Sequence, residues 1–230
     1  GFHASVIRPR DMKPGVKLPV VVKVYGGPTT TVVSRGMAGN LLNQWLADQG
    51  FIVVKFDGRG TPLRTAAWER VVKYDFATTT LDDQIAALKA LAEKVPEMDM
   101  NRVGIEGWSF GGYMAALAAL KRPDVFKAAV AGAPVVDWLD YDTHYTERYL
   151  GLPQEHPEAY EKSSLLTYAK EPNKPIGKLL LIHGTADDNV YFFHTLKLAD
   201  ALFKAGKPYV LVPLPGLTHK VPDLPVLQPE

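Results

Sequence analysis

Short apolar runs recur along the chain with amphipathic stretches between them, the pattern of strands alternating with helices in a mostly parallel sheet. Six runs have strand length, over 18–25, 51–56, 102–108, 127–131, 178–183 and 209–214. Apolar residues at three- and four-residue intervals predict helices over 41–49, 81–94, 110–121 and 192–204, and Gly50 and Gly206 stop two of them. Two stretches are too long for ordinary connections. Residues 57–80 read as a loop with some helix, and residues 134–175, rich in tyrosine, stand between two core strands where a lid or pocket wall fits. No repeat, low-complexity tract or composition break divides the chain, so one α/β domain over 1–230 is expected.

Composition narrows the chemistry. With 230 residues and 47% hydrophobic content the chain can bury one large core. A net charge of +1, from 26 basic and 25 acidic residues, provides no long-range field for nucleic acid or an anionic membrane. No apolar run approaches bilayer-spanning length, and the first residues lack the features of a signal peptide, so a soluble chain is expected, cytoplasmic or periplasmic, the compartment left open. The absence of cysteine removes disulfides, thiolate metal sites and a cysteine nucleophile. The chain begins almost directly on a strand and stops eleven residues after His219. A domain belonging to a longer chain is therefore the expectation, which the tail 221–230 strengthens.

The sharpest motif is Gly107-Trp108-Ser109-Phe110-Gly111, set between the run 102–108 and the helical pattern 110–121. A serine at a sharp strand-to-helix turn is the nucleophile elbow of an α/β-hydrolase, and the flanking glycines leave room for a strained serine and close strand–helix packing. The competing reading is a turn whose serine merely caps the helix. A serine hydroxyl needs a base to take its proton and a third group to orient that base. In this fold the acid and then the histidine follow the serine. Asp187 and Asp188 lie in the loop after the run 178–183, and His219 in the loop after 209–214, both at carboxyl ends of strands, where such sheets carry their sites. His194 falls inside a helix, and His183, ahead of the acids, reads as a structural histidine. Asp187 is preferred to Asp188, though spacing separates them poorly. The Phe110 N–H is one oxyanion donor by construction of the elbow. The loop Tyr25-Gly26-Gly27-Pro28 is a candidate for the second, against a glycine-proline turn with a core tyrosine.

These residues resemble the prolyl oligopeptidase family of serine peptidases, and within it the dipeptidyl peptidase IV branch. The resemblance rests on Val24-Tyr-Gly-Gly-Pro28, Asp57-Gly-Arg-Gly60, Gly107-Trp-Ser-Phe-Gly-Gly-Tyr113, Tyr145-Thr-Glu-Arg-Tyr149 and His183-Gly-Thr-Ala-Asp-Asp-Asn-Val190. It implies a triad of Ser109, Asp187 and His219, with Tyr25 completing the oxyanion hole. It further implies an apolar pocket for a proline ring from Phe110, Val135, Trp138, Tyr141, Tyr145 and Val190. Arg148 and Asn189 fall where the branch holds the carbonyl of the substrate's N-terminal residue. Read without the resemblance, Trp138, Tyr141 and Tyr145 are the core-facing stripe of one amphipathic helix.

The implied activity is hydrolysis of peptide bonds after proline or alanine through an acyl-serine, with a peptide substrate and neither metal nor organic cofactor. The branch reads the substrate amine with paired glutamates on an N-terminal β-propeller, so such a domain is expected ahead of this one. A family-type homodimer is in doubt, because the usual terminal helix is not found in the sequence. A stand-alone carboxylesterase, or a non-catalytic binding domain on the same fold, are the alternatives.

Overall fold

A computed structural model describes residues 1–36 and 40–220. The tail 221–230, weighed above as a sign of a longer chain, lies outside the described residues. Seven strands form one sheet in the order β1-β3-β2-β4-β5-β6-β7. They are β1 (His3–Ile7), β2 (Leu18–Val24), β3 (Ile52–Asp57), β4 (Met98–Trp108), β5 (Phe126–Gly132), β6 (Lys178–Gly184) and β7 (Val210–Leu214). Only β1 runs antiparallel, against β3. The six parallel strands are the six apolar runs. Helical patterning sets α1 (Leu41–Asp48), α3 (Thr78–Ala92), α4 (Phe110–Lys121) and α8 (Phe193–Lys204) between them. The short α2 (Ala66–Glu69) lies in the first long connection, and α5 (Thr143–Leu150), α6 (Pro157–Ser163) and α7 (Leu165–Ala169) lie in the second. This is an α/β-hydrolase fold.

Burial follows the layers. Strand β3 is buried along its whole length, and α4 is buried from Phe110 to Leu120, as a helix must be when it packs on β4 and β5 and is covered by α3 and α7. That explains why its sequence, Phe-Gly-Gly-Tyr-Met-Ala-Ala-Leu-Ala-Ala-Leu-Lys, is apolar almost all round. From β2 the chain passes to β3 on one side and later to β4 on the other. The order of the sheet therefore reverses at β2, and the crevice at the carboxyl ends of β2 and β4 is where such sheets carry a site. Among the described residues no helix is long and apolar enough to cross a membrane.

Most boundaries fall within a residue or two of the sequence pattern, and three departures are larger. Strand β4 starts at Met98 rather than 102, because register shifts against β2 and β5 let it continue through the largely polar stretch Asp99-Met100-Asn101-Arg102. Helix α3 begins at Thr78, three residues earlier than its apolar stripe, where the Asp75 carboxylate accepts the Ala77 and Thr78 N–H groups. The aromatic stripe is not one helix. Trp138 sits in a 3-10 turn (Trp138–Asp140), Tyr141 follows it in extended backbone, and Tyr145 belongs to α5.

Candidate active site

Strand β4 delivers Ser109 at φ 60°, ψ −120°, a backbone conformation that costs an L-residue about 1–3 kcal/mol and persists only where the surroundings impose it. Here they do. The Ser109 N–H donates to the Gly132 carbonyl at 2.9 Å, and the Ser109 carbonyl accepts the Tyr113 N–H at 2.9 Å. A methyl at Gly107 would stand 2.3 Å from the Gly111 oxygen, one at Gly111 would stand 2.3 Å from the Val24 oxygen, and one at Gly112 would stand 2.2 Å from the Gly132 oxygen. The glycines of the motif thus let β2, β4, β5 and α4 close on the serine. Ser109 occupies the N-cap position of α4, but its side chain makes no capping bond, so capping does not account for it. Phe110 is the first residue of α4, and its N–H has no acceptor within the helix.

The candidate acid comes from the loop after β6. Asp187 is buried, and its Oδ1 accepts the N–H groups of Asn189 (3.0 Å) and Val190 (2.9 Å), which folds the loop around the carboxylate. Its Oδ2 meets His219 Nδ1 at 2.7 Å. Asp188 is exposed and makes no such contact. The loop bearing His219 is held against the Asp187 loop by the Thr185 N–H on the Leu214 carbonyl (3.0 Å) and the Ala186 N–H on the Leu217 carbonyl (3.0 Å). Gly184 permits this approach, since a methyl there would lie 2.3 Å from the Leu217 oxygen. The indole Nε1–H of Trp108, the residue before Ser109, donates to the His219 carbonyl at 2.8 Å and fastens the histidine beside the elbow. With Nδ1 committed to the carboxylate, Nε2 is the ring nitrogen left for another partner. Among the described residues no hydrogen bond joins it to Ser109 Oγ. Catalytic hydrogen bonds are often completed only when substrate is present.

The apolar wall is a cluster of rings. Trp138 is fully buried and stacks on Tyr145 (6.1 Å between centroids, 15° between planes). Tyr141 meets both edge-on, at 5.9 and 5.5 Å, and Phe110 lies 5.6 Å from Trp138. Tyr25 packs on Phe110 at 5.8 Å, which joins the loop after β2 to the elbow and the aromatic cluster. Val135 and Val190 are buried in the same core. The Tyr141 hydroxyl donates to Asn189 Oδ1 at 2.8 Å, so the segment before α5 is tied to the Asp187 loop. Burial, with Asp142, Tyr25 and Asp187 nearby, pushes the Tyr141 phenol up to about 12. Burial also holds the Tyr145 phenol above its ordinary value. Both phenols stay protonated, but only that of Tyr141 donates, because the buried Tyr145 hydroxyl has no hydrogen-bond partner. Arg148 is exposed and engages His144 on its own helix at 2.8 Å, rather than Asn189.

The model of the prolyl oligopeptidase family matches residues 40–224. The chain belongs to that family. Human dipeptidyl peptidase 8 is 41% identical over 224 residues, covering 96% of this chain and 25% of its own length, and the mouse protein of the same name matches to the same extent. A crystal structure from Bacteroides ovatus assigned as a dipeptidyl aminopeptidase IV superposes with a TM-score of 0.89 at 33% identity, over 96% of this chain and 31% of that one. This prolyl oligopeptidase-family chain therefore spans about a quarter to a third of the length of those relatives.

Two residues in contact with the candidate site escaped the sequence pattern. Phe76, fully buried, stands 4.5 Å from Trp138 and 5.3 Å from Phe110, and it extends the cluster towards Tyr145 and Tyr149. It lies in the stretch read as loop, and its only signal was an aromatic residue just ahead of a helix. His183 reaches the same Asp187 oxygen as His219, at 3.1 Å. Its strand-end position gave no hint of that contact.

Proposed function

We propose that this domain is the C-terminal catalytic part of a dipeptidyl peptidase-like serine peptidase, hydrolysing the peptide bond after a proline or alanine. The observation that supports the reading is the presence together of a strained Ser109, His219 bound to buried Asp187, and a cluster of rings whose Phe110 belongs to the elbow itself, which this reading takes as the wall of the proline pocket. In this scheme His219 Nε2 takes the Ser109 proton as Oγ attacks the carbonyl, and Asp187 holds the ring and stabilises the imidazolium. The Phe110 N–H and the Tyr25 hydroxyl face the oxygen that becomes negative. His219 then protonates the leaving amine, and water repeats the sequence to release the acyl group from Ser109. A proline ring suits a box of rings with few polar groups, which gains from burial and loses little rotamer freedom. Asn189, already polarised by Tyr141, is suited to hold a substrate carbonyl, with Arg148 turning from His144 to assist. The acids that would read a free substrate amine belong, on this proposal, to a propeller ahead of the domain.

The test uses the whole protein with an Xaa-Pro chromogenic amide, a short acyl ester and a fluorophosphonate. Ser109→Ala is expected to lower amide hydrolysis by about 10⁴-fold or more and abolish labelling with the fold intact. Hydrolysis unchanged in that variant overturns the reading, and cleavage of the ester alone by the unmutated protein turns it into an esterase.

A further inference from the structure

His183 is fully buried at the end of β6, and the scheme above leaves it idle. Its Nε2 lies 3.1 Å from Asp187 Oδ2 and 2.8 Å from the Val190 carbonyl, both of them acceptors. That nitrogen must therefore carry a proton. Its Nδ1 lies 2.7 Å from the Thr195 hydroxyl on α8, which is also fully buried. Burial lowers the proton affinity of His183 despite the Val190 carbonyl and Asp187, so the ring is neutral and Nδ1 is an acceptor. Only one tautomer satisfies both sides: Thr195 donates to Nδ1, and Nε2–H is shared between Asp187 and Val190.

Asp187 thus receives four donors, with Asn189 and Val190 N–H on Oδ1 and the two histidines on Oδ2. We infer that His183, its tautomer set by Thr195, is a positioning residue for the acid of the site, fixing the Oδ2 lone pairs and taking up part of the charge that Asp187 presents to His219. The same N–H anchors the Val190 carbonyl, so the acid and one wall of the pocket share a single support. This rests on the triad reading above. The titratable groups facing Asp187 are His183 from β6, His219 from the loop after β7 and Tyr141 ahead of α5. With its phenol at about 12, Tyr141 keeps its proton throughout the range of interest.

Removing the His183 donor concentrates the Asp187 charge on His219 and favours the imidazolium. Titration of His219 by NMR in the 15N-histidine-labelled whole protein reads this directly, whether or not peptide is cleaved. In His183→Phe the His219 midpoint is expected to rise by about one pH unit, the acid limb of amide hydrolysis moving with it, and kcat to fall about ten- to a hundredfold. His183→Gln, which keeps an N–H donor, restores most of both. Thr195→Val, close to isosteric, carries the test should the phenylalanine variant fail to fold. It is expected to shift the midpoint in the same direction by less, with Thr195→Ser as its rescue. An unmoved His219 midpoint in the folded variants, or failure of the glutamine and serine variants to restore it, overturns the proposal. Loss of Ser109-dependent hydrolysis in the unmutated protein overturns the peptidase reading alone.

Discussion

Ser109 keeps its left-handed backbone because three neighbouring glycines leave no side chain in the way, and their contacts are to backbone oxygens that cannot rotate aside. Gly111→Ala is therefore expected to cost about 3 kcal/mol or more, read as a lowered urea midpoint, since its methyl would meet the Val24 oxygen at 2.3 Å. Gly104, in β4 ahead of the elbow, is the control. A methyl there would sit 3.6 Å from the Ala128 oxygen, an ordinary contact, and Gly104→Ala is expected to leave the midpoint within about 1 kcal/mol of the parent. On the proposed reading the Tyr25 ring packs on Phe110 and its hydroxyl supplies the chemistry. Tyr25→Phe keeps the ring contact with Phe110 and removes the hydroxyl, so kcat for an Xaa-Pro amide is expected to fall roughly a hundredfold with stability unchanged. A kcat within a few-fold of the parent would remove Tyr25 from the oxyanion hole.

Elements divide into those the apolar pattern dictates and those that local polar bonds dictate. The six parallel strands and four principal helices were legible because a buried parallel strand is a continuous apolar run and a covering helix keeps a stripe. Strand β1 was not, for its five residues His-Ala-Ser-Val-Ile lie on the sheet edge, with the first two exposed. The positions of the candidates Ser109, Asp187 and His219 were legible because each stands where a strand ends, which the order of runs already marks. The aromatic wall was legible in composition but not in shape. What breaks the apparent helix is a pair of aspartates. Asp137 accepts the Leu139 N–H at 3.3 Å to start the 3-10 turn, and Asp142 accepts the Tyr145 N–H at 2.8 Å to start α5. Between them Tyr141 is free to cross to Asn189. Tyr141→Phe keeps its ring packing and releases Asn189, so KM for the prolyl amide is expected to rise about three- to tenfold with kcat little changed. An equal fall in kcat would show instead that the bond supports Asp187, whose Oδ1 the same loop encloses.

On the scale of the whole molecule, the sheet, α8 and the pocket wall are joined through buried histidines, and this makes stability depend on pH. His194 is fully buried in α8, where its Nδ1 accepts the Val136 N–H at 3.2 Å and so ties α8 to the segment carrying Val135 and Trp138. Burial lowers its pKa to about 4, against the opposing pull of Asp140. Between that value and about 6.5 the unfolded chain binds a proton that the folded chain refuses, so stability falls as the pH drops through this window and levels off below it. His183, lowered by burial too, acts in the same direction. Asp75 is depressed below the ordinary carboxylate value, where its ion pair with Lys162 and backbone N–H bonds outweigh burial. Its contribution is present above that value and is lost only at more acid pH. Asp137, raised by burial, has the opposite sign, so the histidine effect is best taken as a difference between proteins. Urea unfolding at pH 7.5 and pH 5 is expected to show the parent losing roughly 2 kcal/mol more than His194→Gln, whose side chain cannot titrate. The sign is decisive, because a charged His194 stabilised by Asp140 would make acidification strengthen the parent relative to the variant. Equal losses in the two proteins would mean that His194 titrates alike whether the chain is folded or not.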